Sequence, residues 1–321
     1  MPKEKRNTTL ILWYLVMGPI AFIMFYLPKW KRNITRTLWY LVMGLIACIM
    51  LYPFVFSILA GLNHRAEFGH LGTLLPIPEN PMISNFLFMF TARGIRPLIN
   101  TFLRTGWYTI IVTMMAILIG YVMARYEFKG KKFFLIAILG TQVVPEVLTL
   151  IPTFIMISNL PLIGGNDIFG YGGRGLINNP LAIYLPLGWH FLIWVFLFMQ
   201  TMKSLPRDFE EAARLDGCGF GRTIFQVIIP MQKPMIAVIA VNVALRVWND
   251  WLIPFLYIND IQRSTLPAYM GRLVAALQQF GDPDYPRIFA MASVAIVPPL
   301  IIFLFLQKYI IQGIASAGVK G

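Results

Sequence analysis

The sequence is poor in charged residues and in cysteine. Only 13% of its 321 residues are charged, whereas 58% are hydrophobic. A composition this apolar excludes a soluble globular domain and predicts an all-α protein that crosses a membrane several times. The two cysteines, Cys48 and Cys218, are too few for a disulfide framework and lack the spacing of metal ligands.

Motifs that carry chemistry are also missing. There is no glycine-rich loop ending in GK[ST], and the GK pair at Gly130-Lys131 has no phosphate cradle before it. An intramembrane enzyme using Glu146 and His190 is an alternative, but no HExxH or GxSxG motif supports it. We therefore expect a chain that is not an enzyme and that holds no metal or cofactor of its own.

Basic residues outnumber acidic ones, 27 against 14, for a net charge of +13. They occur in short runs beside apolar stretches, where basic residues orient membrane helices, so the charge does not indicate a nucleic-acid partner.

Seven apolar stretches approach the ~20 residues that cross a hydrocarbon core. Basic clusters after the third and the fifth place those two loops in the cytoplasm, and the last six stretches then alternate without conflict. Three segments are then expected on the outer side of the membrane, 61–100, 159–180 and 259–286. The stretches are 9–27, 37–60, 105–124, 133–158, 181–202, 235–258 and 287–311.

The first stretch copies the second. LWYLVMGPIAFIMFY at 12–26 and LWYLVMGLIACIMLY at 38–52 are identical at twelve of fifteen positions, which indicates a local duplication. Basic residues flank the first copy on both sides, so it does not fit the alternation. We expect residues 1–36 to be an extension whose apolar segment lies in the interface, spans with an external amino terminus, or packs loosely, and residues 37–321 to be the transmembrane domain.

Residues 205–234 form a polar loop between two apolar stretches, LPRDFEEAARLDGCGFGRTIFQVIIPMQKP. Asp208, Glu210 and Glu211 make an acidic first turn, which suits the positive end of a helix dipole. Gly217 then ends the helix, and a second helix is expected to follow the bend.

The spacing in this loop resembles the EAA loop of bacterial ABC importer permeases. Glu211-Ala212-Ala213 is followed after three residues by Gly217, and nine residues later comes Val227-Ile228-Ile229-Pro230 in place of IxLP. Three further segments resemble maltose-type second permeases, which import carbohydrate. They are YPFVFSILAGL, VWNDWLIPFLYI and the closing GIASAGVKG. The resemblance covers residues 37–321 and implies a six-helix permease core in the bacterial inner membrane.

The resemblance also implies partners. These are two cytoplasmic ATPase subunits that bind ATP and Mg²⁺, a second homologous permease, and an extracytoplasmic solute-binding protein that delivers a sugar or oligosaccharide. External segments 61–100 and 262–286 are expected to contact the binding protein. ATP-driven closure of the ATPases would move the loop and switch the permeases between inward-facing and outward-facing states.

Roles within the loop follow from the same resemblance. Glu211 would anchor the loop in the ATPase, the alanines would allow close packing, and Gly217 would make the bend. The alternative for Glu211 is an ordinary solvated carboxylate at a helix start. The residues expected to couple to the ATPase are Glu210, Glu211, Ala212, Ala213, Asp216 and Gly217.

Polar residues within apolar stretches are candidates for the solute path. Gln142 and Glu146 lie on either side of Pro145, in the stretch 133–158, which its prolines must kink or break. Asn249, Asp250 and Arg246 lie near one helical face with Asn242, and Arg246 and Asp250, four apart, are expected to pair. The alternative is an interfacial aromatic belt with a structural ion pair. The candidate set is Asn242, Asn249, Asp250, Trp251, His190, Gln142 and Glu146.

An ion-coupled secondary transporter is the competing function, with Glu146 and Asp250 as coupling carboxylates. In that case the EAA-like loop would have no partner. The residues do not identify the solute.

Overall fold

The computed structural model describes residues 29–65, 74–185, 191–280 and 284–318. Its described residues form helices and connecting segments with no β-strand, as the composition predicts. The chain divides into two compact units, Met1–Ile58 and Leu59–Gly321. The main helices are α1 Lys29–Gly61, α2 Ala92–Arg125, α3 Lys131–Thr141, α4 Glu146–Ser158, α5 Leu192–Lys203, α6 Asp208–Leu215, α7 Lys233–Asn249, α8 Leu266–Phe280 and α9 Tyr285–Gly318.

The described part of the first unit is a single long helix. Within α1, the stretch Arg36–Gly61 has a mean hydropathy of 2.4 and is long enough to cross a membrane. Its apolar side chains are exposed, for example Leu41 at 65% and Ile49 at 64%, as expected where lipid is the solvent. The stretch predicted at 37–60 is confirmed. The duplicated copy at 9–27 lies outside the described residues.

Two further long helices, α2 and α9, match the stretches predicted at 105–124 and 287–311. Helix α2 begins earlier than expected, at Ala92, so the end of the predicted external segment 61–100 is helical. Three helices in the described residues are therefore long and apolar enough to span, and two bent pairs raise this to five if each pair counts as one span.

The stretch 133–158 is broken, as its prolines predicted. Helix α3 ends at Thr141, and α4 begins after Pro145, with a bend of 102° between them. Proline has no backbone N–H and pushes the preceding residue away from helical geometry, so the helix stops there. The break sets Glu146 at the start of α4.

The stretches 181–202 and 235–258 are also divided. The first comprises a turn of helix, Leu181–Tyr184, and α5, and the second comprises α7 and a short helix, Leu252–Tyr257. The expected external segment 259–286 contains helix α8, which the sequence analysis did not predict. Its buried Leu266 and Tyr269 are three residues apart, as on one face of a helix.

The core of the second unit forms where α2 packs against α5 and α7. Gly120 of α2 allows the close approach to α5, since a Cβ there would lie 3.0 Å from the Val195 carbonyl oxygen and 3.0 Å from Phe198. Small residues at such crossings are typical of membrane helix pairs. Helix α2 thereby becomes the central element of this unit.

Candidate functional site

The loop of residues 205–234 contains the helix and bend expected from its spacing. Helix α6 starts with the three carboxylates of its first turn and ends before Gly217, which adopts a φ of +77°. The N–H of Cys218 donates to the Ala213 carbonyl at 2.9 Å, and the N–H of Gly217 donates to that of Arg214 at 3.0 Å. These bonds satisfy carbonyls at the helix end, which is the usual role of a left-handed glycine there.

Helix α6 has a buried face and an exposed face. Glu210 and Ala213 are buried, at 4% and 6% exposure, whereas Leu215 is 90% exposed. Glu211, Ala212, Asp216 and Gly217 are exposed as well. All six candidates of this loop were expected to couple to the ATPase, but Glu210 and Ala213 face their own chain.

Glu210 is bound to the carboxyl-terminal end of α2. Its Oε1 accepts a hydrogen bond from Arg125 Nε at 2.5 Å, and its Oε2 accepts one from the Tyr121 hydroxyl at 3.1 Å. A second guanidinium nitrogen of Arg125 donates to the Leu205 carbonyl at 2.9 Å. Charge-assisted bonds of this kind are stronger than neutral ones. Arg125 belongs to the basic cluster after the stretch 105–124, which indicated only the direction of that stretch, so this pair was not predicted.

The segment after the bend also packs against α2. The ring of Phe220 lies edge-on to that of Tyr121, with 5.7 Å between centroids. Thr223, Ile224 and Ile228 are buried in the turns that follow. A bend of 84° then leads from residues 220–231 into α7.

The second candidate region is a cavity of about 550 Å³ bordered by α2, α4 and α7. Its size lies within the range of small-molecule sites. Both charged and amide side chains reach its wall. The lining residues are Arg104, Tyr108, Glu146, Thr149, Leu150, Thr153, Ala182, Leu185, Phe191, Asn242, Leu245, Arg246, Val247, Asn249, Asp250, Ile253 and Tyr257.

Arg104 and Asp250 form one ion pair in this wall. The guanidinium donates to Asp250 Oδ2 at 2.5 Å, and the side chains are 3% and 23% exposed. Arg104 Nε also donates to the Ile183 carbonyl at 2.9 Å. Asp250 Oδ1 accepts the N–H of Ile253 at 3.2 Å, at the start of the short helix after α7. The pair therefore holds α2 to the break at the end of α7.

A second ion pair joins Arg246 of α7 to Glu146 of α4, and both side chains are about half exposed. The predicted pair between Arg246 and Asp250 is therefore wrong. Helix α7 ends at Asn249, and Asp250 has an extended ψ of 102°, so it leaves the helical face on which Arg246 lies. Each of the two residues finds a partner on another segment.

Two predicted solute-path residues, Asn242 and Asn249, line the cavity with Glu146 and Asp250. Their side-chain amide N–H groups donate to the Val238 and Leu245 carbonyls, each at 2.8 Å. These bonds fix both amides on α7 while their carbonyl oxygens remain potential acceptors for hydroxyl groups.

Two other candidates, Trp251 and Gln142, are not in this wall. Trp251 lies outside the cavity, with its ring 5.7 Å from that of Phe255 and against Gly271. Gln142 Nε2 donates to Thr141 Oγ1 at 3.1 Å and is not among the lining residues. His190 lies outside the described residues.

Arg104 and Tyr108 are among the lining residues that were not predicted. Arg104 immediately precedes the stretch 105–124 and was not considered, although an arginine so close to an apolar run is a functional signal. Tyr108 donates its hydroxyl proton to the Leu185 carbonyl at 2.6 Å, and the Arg104 guanidinium lies 5.2 Å from its ring centre.

The described residues contain no group of three or more His, Cys, Asp or Glu side chains suited to a metal.

Residues 116–316 match the family described as binding-protein-dependent transport system inner membrane component. The chain belongs to this family. It is a multi-pass membrane permease, and its EAA-like loop and the cavity both lie largely within the matched part.

Named relatives extend the match. The chain is 30% identical over 275 residues to the arabinooligosaccharides transport system permease protein AraQ of Halalkalibacterium halodurans, covering 84% of this chain and 91% of that one. It is 28% identical over 265 residues to the diacetylchitobiose uptake system permease protein NgcG of Streptomyces coelicolor, covering 82% of each.

A solved structure shares the fold. A crystal structure of a bacterial ABC transporter involved in the import of the acidic polysaccharide alginate matches with a TM-score of 0.66. The identity is 19%, and the match covers 89% of this chain and 99% of that one. At this identity the likeness concerns the fold alone.

Proposed function

We propose that this permease is one transmembrane subunit of an ATP-driven importer in the bacterial inner membrane, and that it translocates a sugar or oligosaccharide. An extracytoplasmic binding protein delivers the solute to it. The names of the arabinooligosaccharide and diacetylchitobiose permeases support a carbohydrate cargo. So does the likeness of residues 205–234 to a coupling loop.

The proposal for the solute path rests on the cavity. Asn242 and Asn249 present amide oxygens near two arginine–carboxylate pairs, a mixture of acceptors and donors that suits hydroxyl groups. The apolar parts of Leu150 and Ile253 complete the wall. A few placed polar groups among apolar side chains are typical of a site for a small polar molecule.

The exposed face of α6 supports the proposal for coupling. Glu211 offers a charge and Leu215, at 90% exposure, offers an apolar contact to a cytoplasmic ATPase subunit. Two ATPases bind ATP and Mg²⁺, and a second permease completes the pair of membrane subunits. ATP binding moves α6, the permease turns outward, and the binding protein releases its sugar into the cavity.

Reconstitution into proteoliposomes tests this function. The chain is purified with the second permease, the two ATPases and the binding protein, and uptake is measured for labelled arabino-oligosaccharides, chito-oligosaccharides and α-glucosides. We expect uptake of at least one of these that requires ATP inside and stops when the ATPases are omitted. Uptake that continues without the ATPases and follows an imposed ion gradient would instead establish a secondary transporter.

A further inference from the structure

The buried face of α6 carries a charge that is unavailable to a docked partner. Both side chains of the Arg125–Glu210 pair are 6% exposed, and the nitrogen–oxygen distance is 2.5 Å. An ATPase subunit that meets the exposed side of α6 reaches Glu211 and not Glu210. The carboxylate of Glu210 therefore acts within its own chain.

The pair ties both ends of a short segment to α2. Arg125 holds Glu210 through the carboxylate and Leu205 through the backbone carbonyl. Tyr121, one helical turn earlier, donates to the same carboxylate and packs edge-on against Phe220 beyond the glycine bend. The segments before and after the bend thus meet at the same turn of α2.

Helix α2 also reaches the cavity. Arg104 lies on this helix and pairs there with Asp250. Between Arg104 and Arg125 the helix contains no proline, and the 21 residues at a rise of 1.5 Å give a rigid rod of about 31 Å. A displacement at the cytoplasmic end is transmitted along this rod to the ion pair in the cavity wall.

We propose that Arg125 is a positioning residue for ATP coupling. Its buried pair with Glu210 makes α6 move with α2 as one body, so that movement of the ATPases reaches the cavity through Arg104. This inference rests on the proposed function. It gives Glu210 and Glu211 different tasks, since Glu211 meets the ATPase and Glu210 connects the loop to the transmembrane helix.

The test uses the whole reconstituted complex with its binding protein and measures the ratio of solute-stimulated to basal ATP hydrolysis. Arg125→Gln and Glu210→Gln are each expected to lower the ratio by about tenfold, within the span reported for residues that link two sites. Because both act through one pair, the double variant should be no worse than either single variant. The matched control is Glu127→Gln with Lys131→Gln, which removes a nearby surface pair of 2.7 Å and should leave the ratio unchanged.

Tyr121→Phe separates positioning from assembly, because it removes one hydroxyl and keeps the ring against Phe220. We expect the complex to assemble normally and the ratio to fall about two- to fivefold. A wild-type ratio in assembled Arg125→Gln, or independent losses that multiply in the double variant, would overturn the inference. So would an Arg125→Gln complex that fails to assemble while Tyr121→Phe keeps the wild-type ratio, since Arg125 would then be structural. Failure of the proposed function is recognised separately, as absence of ATP-driven uptake by the wild-type complex.

Discussion

Arg104 and Arg125 lie on the same helix and are each bound to a carboxylate from a different segment, Asp250 and Glu210. One pair belongs to the cavity wall and the other to the loop of residues 205–234. The cavity and this loop therefore share helix α2, and each is joined to it by a buried or largely buried ion pair. The cavity wall also contains the more exposed pair Arg246–Glu146, and substitutions in this pair and in Arg104–Asp250 are expected to differ in their effects.

Loss of Asp250 should destabilise the permease. Asp250→Ala leaves Arg104, 3% exposed, without its counter-charge, and an uncompensated buried charge costs about 3–5 kcal/mol. Thermal unfolding of the purified complex should occur at a lower temperature, and less complex should be recovered. Glu146→Gln is the comparison, because its pair is half exposed and should contribute less than about 1 kcal/mol. An equal fall in unfolding temperature in both variants would show that burial does not determine how much each ion pair contributes to stability.

The asparagines of the cavity wall should affect solute recognition without affecting assembly. Asn242→Ala and Asn249→Ala each remove an amide acceptor from the wall, and one hydrogen bond is worth about 0.5–1.5 kcal/mol, a few-fold to about tenfold in apparent transport affinity. The concentration dependence of uptake measures this. Gln142→Ala provides the control, since it deletes an amide on the broken helix outside the lining residues. An equal change in the control would place the solute path elsewhere.

Gly217 should be sensitive to any side chain although space is available. A Cβ there meets nothing within 4 Å, but φ is +77°, and a left-handed conformation costs an ordinary L-residue roughly 1–2 kcal/mol. Gly217→Ala should therefore weaken the bend and lower solute-stimulated ATP hydrolysis, whereas Gly217→Asn should be milder. Gly219→Ala, also in open space but with φ −74°, should behave as wild type. If both alanine variants behave alike, the left-handed bend has no part in coupling.

The crossing of α2 and α5 should not accept a larger residue. At Gly120 a Cβ would lie 3.0 Å from a backbone carbonyl oxygen of α5, and overpacking of this kind costs about 1–3 kcal/mol. Gly120→Ala is expected to lower the unfolding temperature of the complex. Gly106→Ala on the same helix meets nothing within 4 Å and should leave it unchanged. A stable Gly120 variant would contradict the observed helix contact.

Sequence patterns were sufficient for features that depend on local chemistry. The apolar stretch 37–60, the break at Pro145 and the bend at Gly217 each follow from residue type and spacing, and all three are present. The family assignment from the loop was also confirmed.

Features that depend on tertiary contacts were not predictable in the same way. Glu210 and Glu211 are adjacent and chemically alike, and only the position of α2 decides which one is buried. The partner of Asp250 likewise depends on where α7 ends, because a helix one turn longer would have kept Asp250 beside Arg246. Helix α8 was missed because the segment 259–286 was interpreted from its charged residues alone, as an external loop.

The most direct measurement is a cryo-electron microscopy map of the complete complex, trapped with ATP and vanadate in the presence of an imported oligosaccharide. The account predicts sugar density within hydrogen-bond distance of Asn242 and Asn249, and Glu211 against the ATPase with Glu210 still bound to Arg125. Sugar held only by the partner permease, or Glu210 released from Arg125 and inserted into the ATPase, would contradict it.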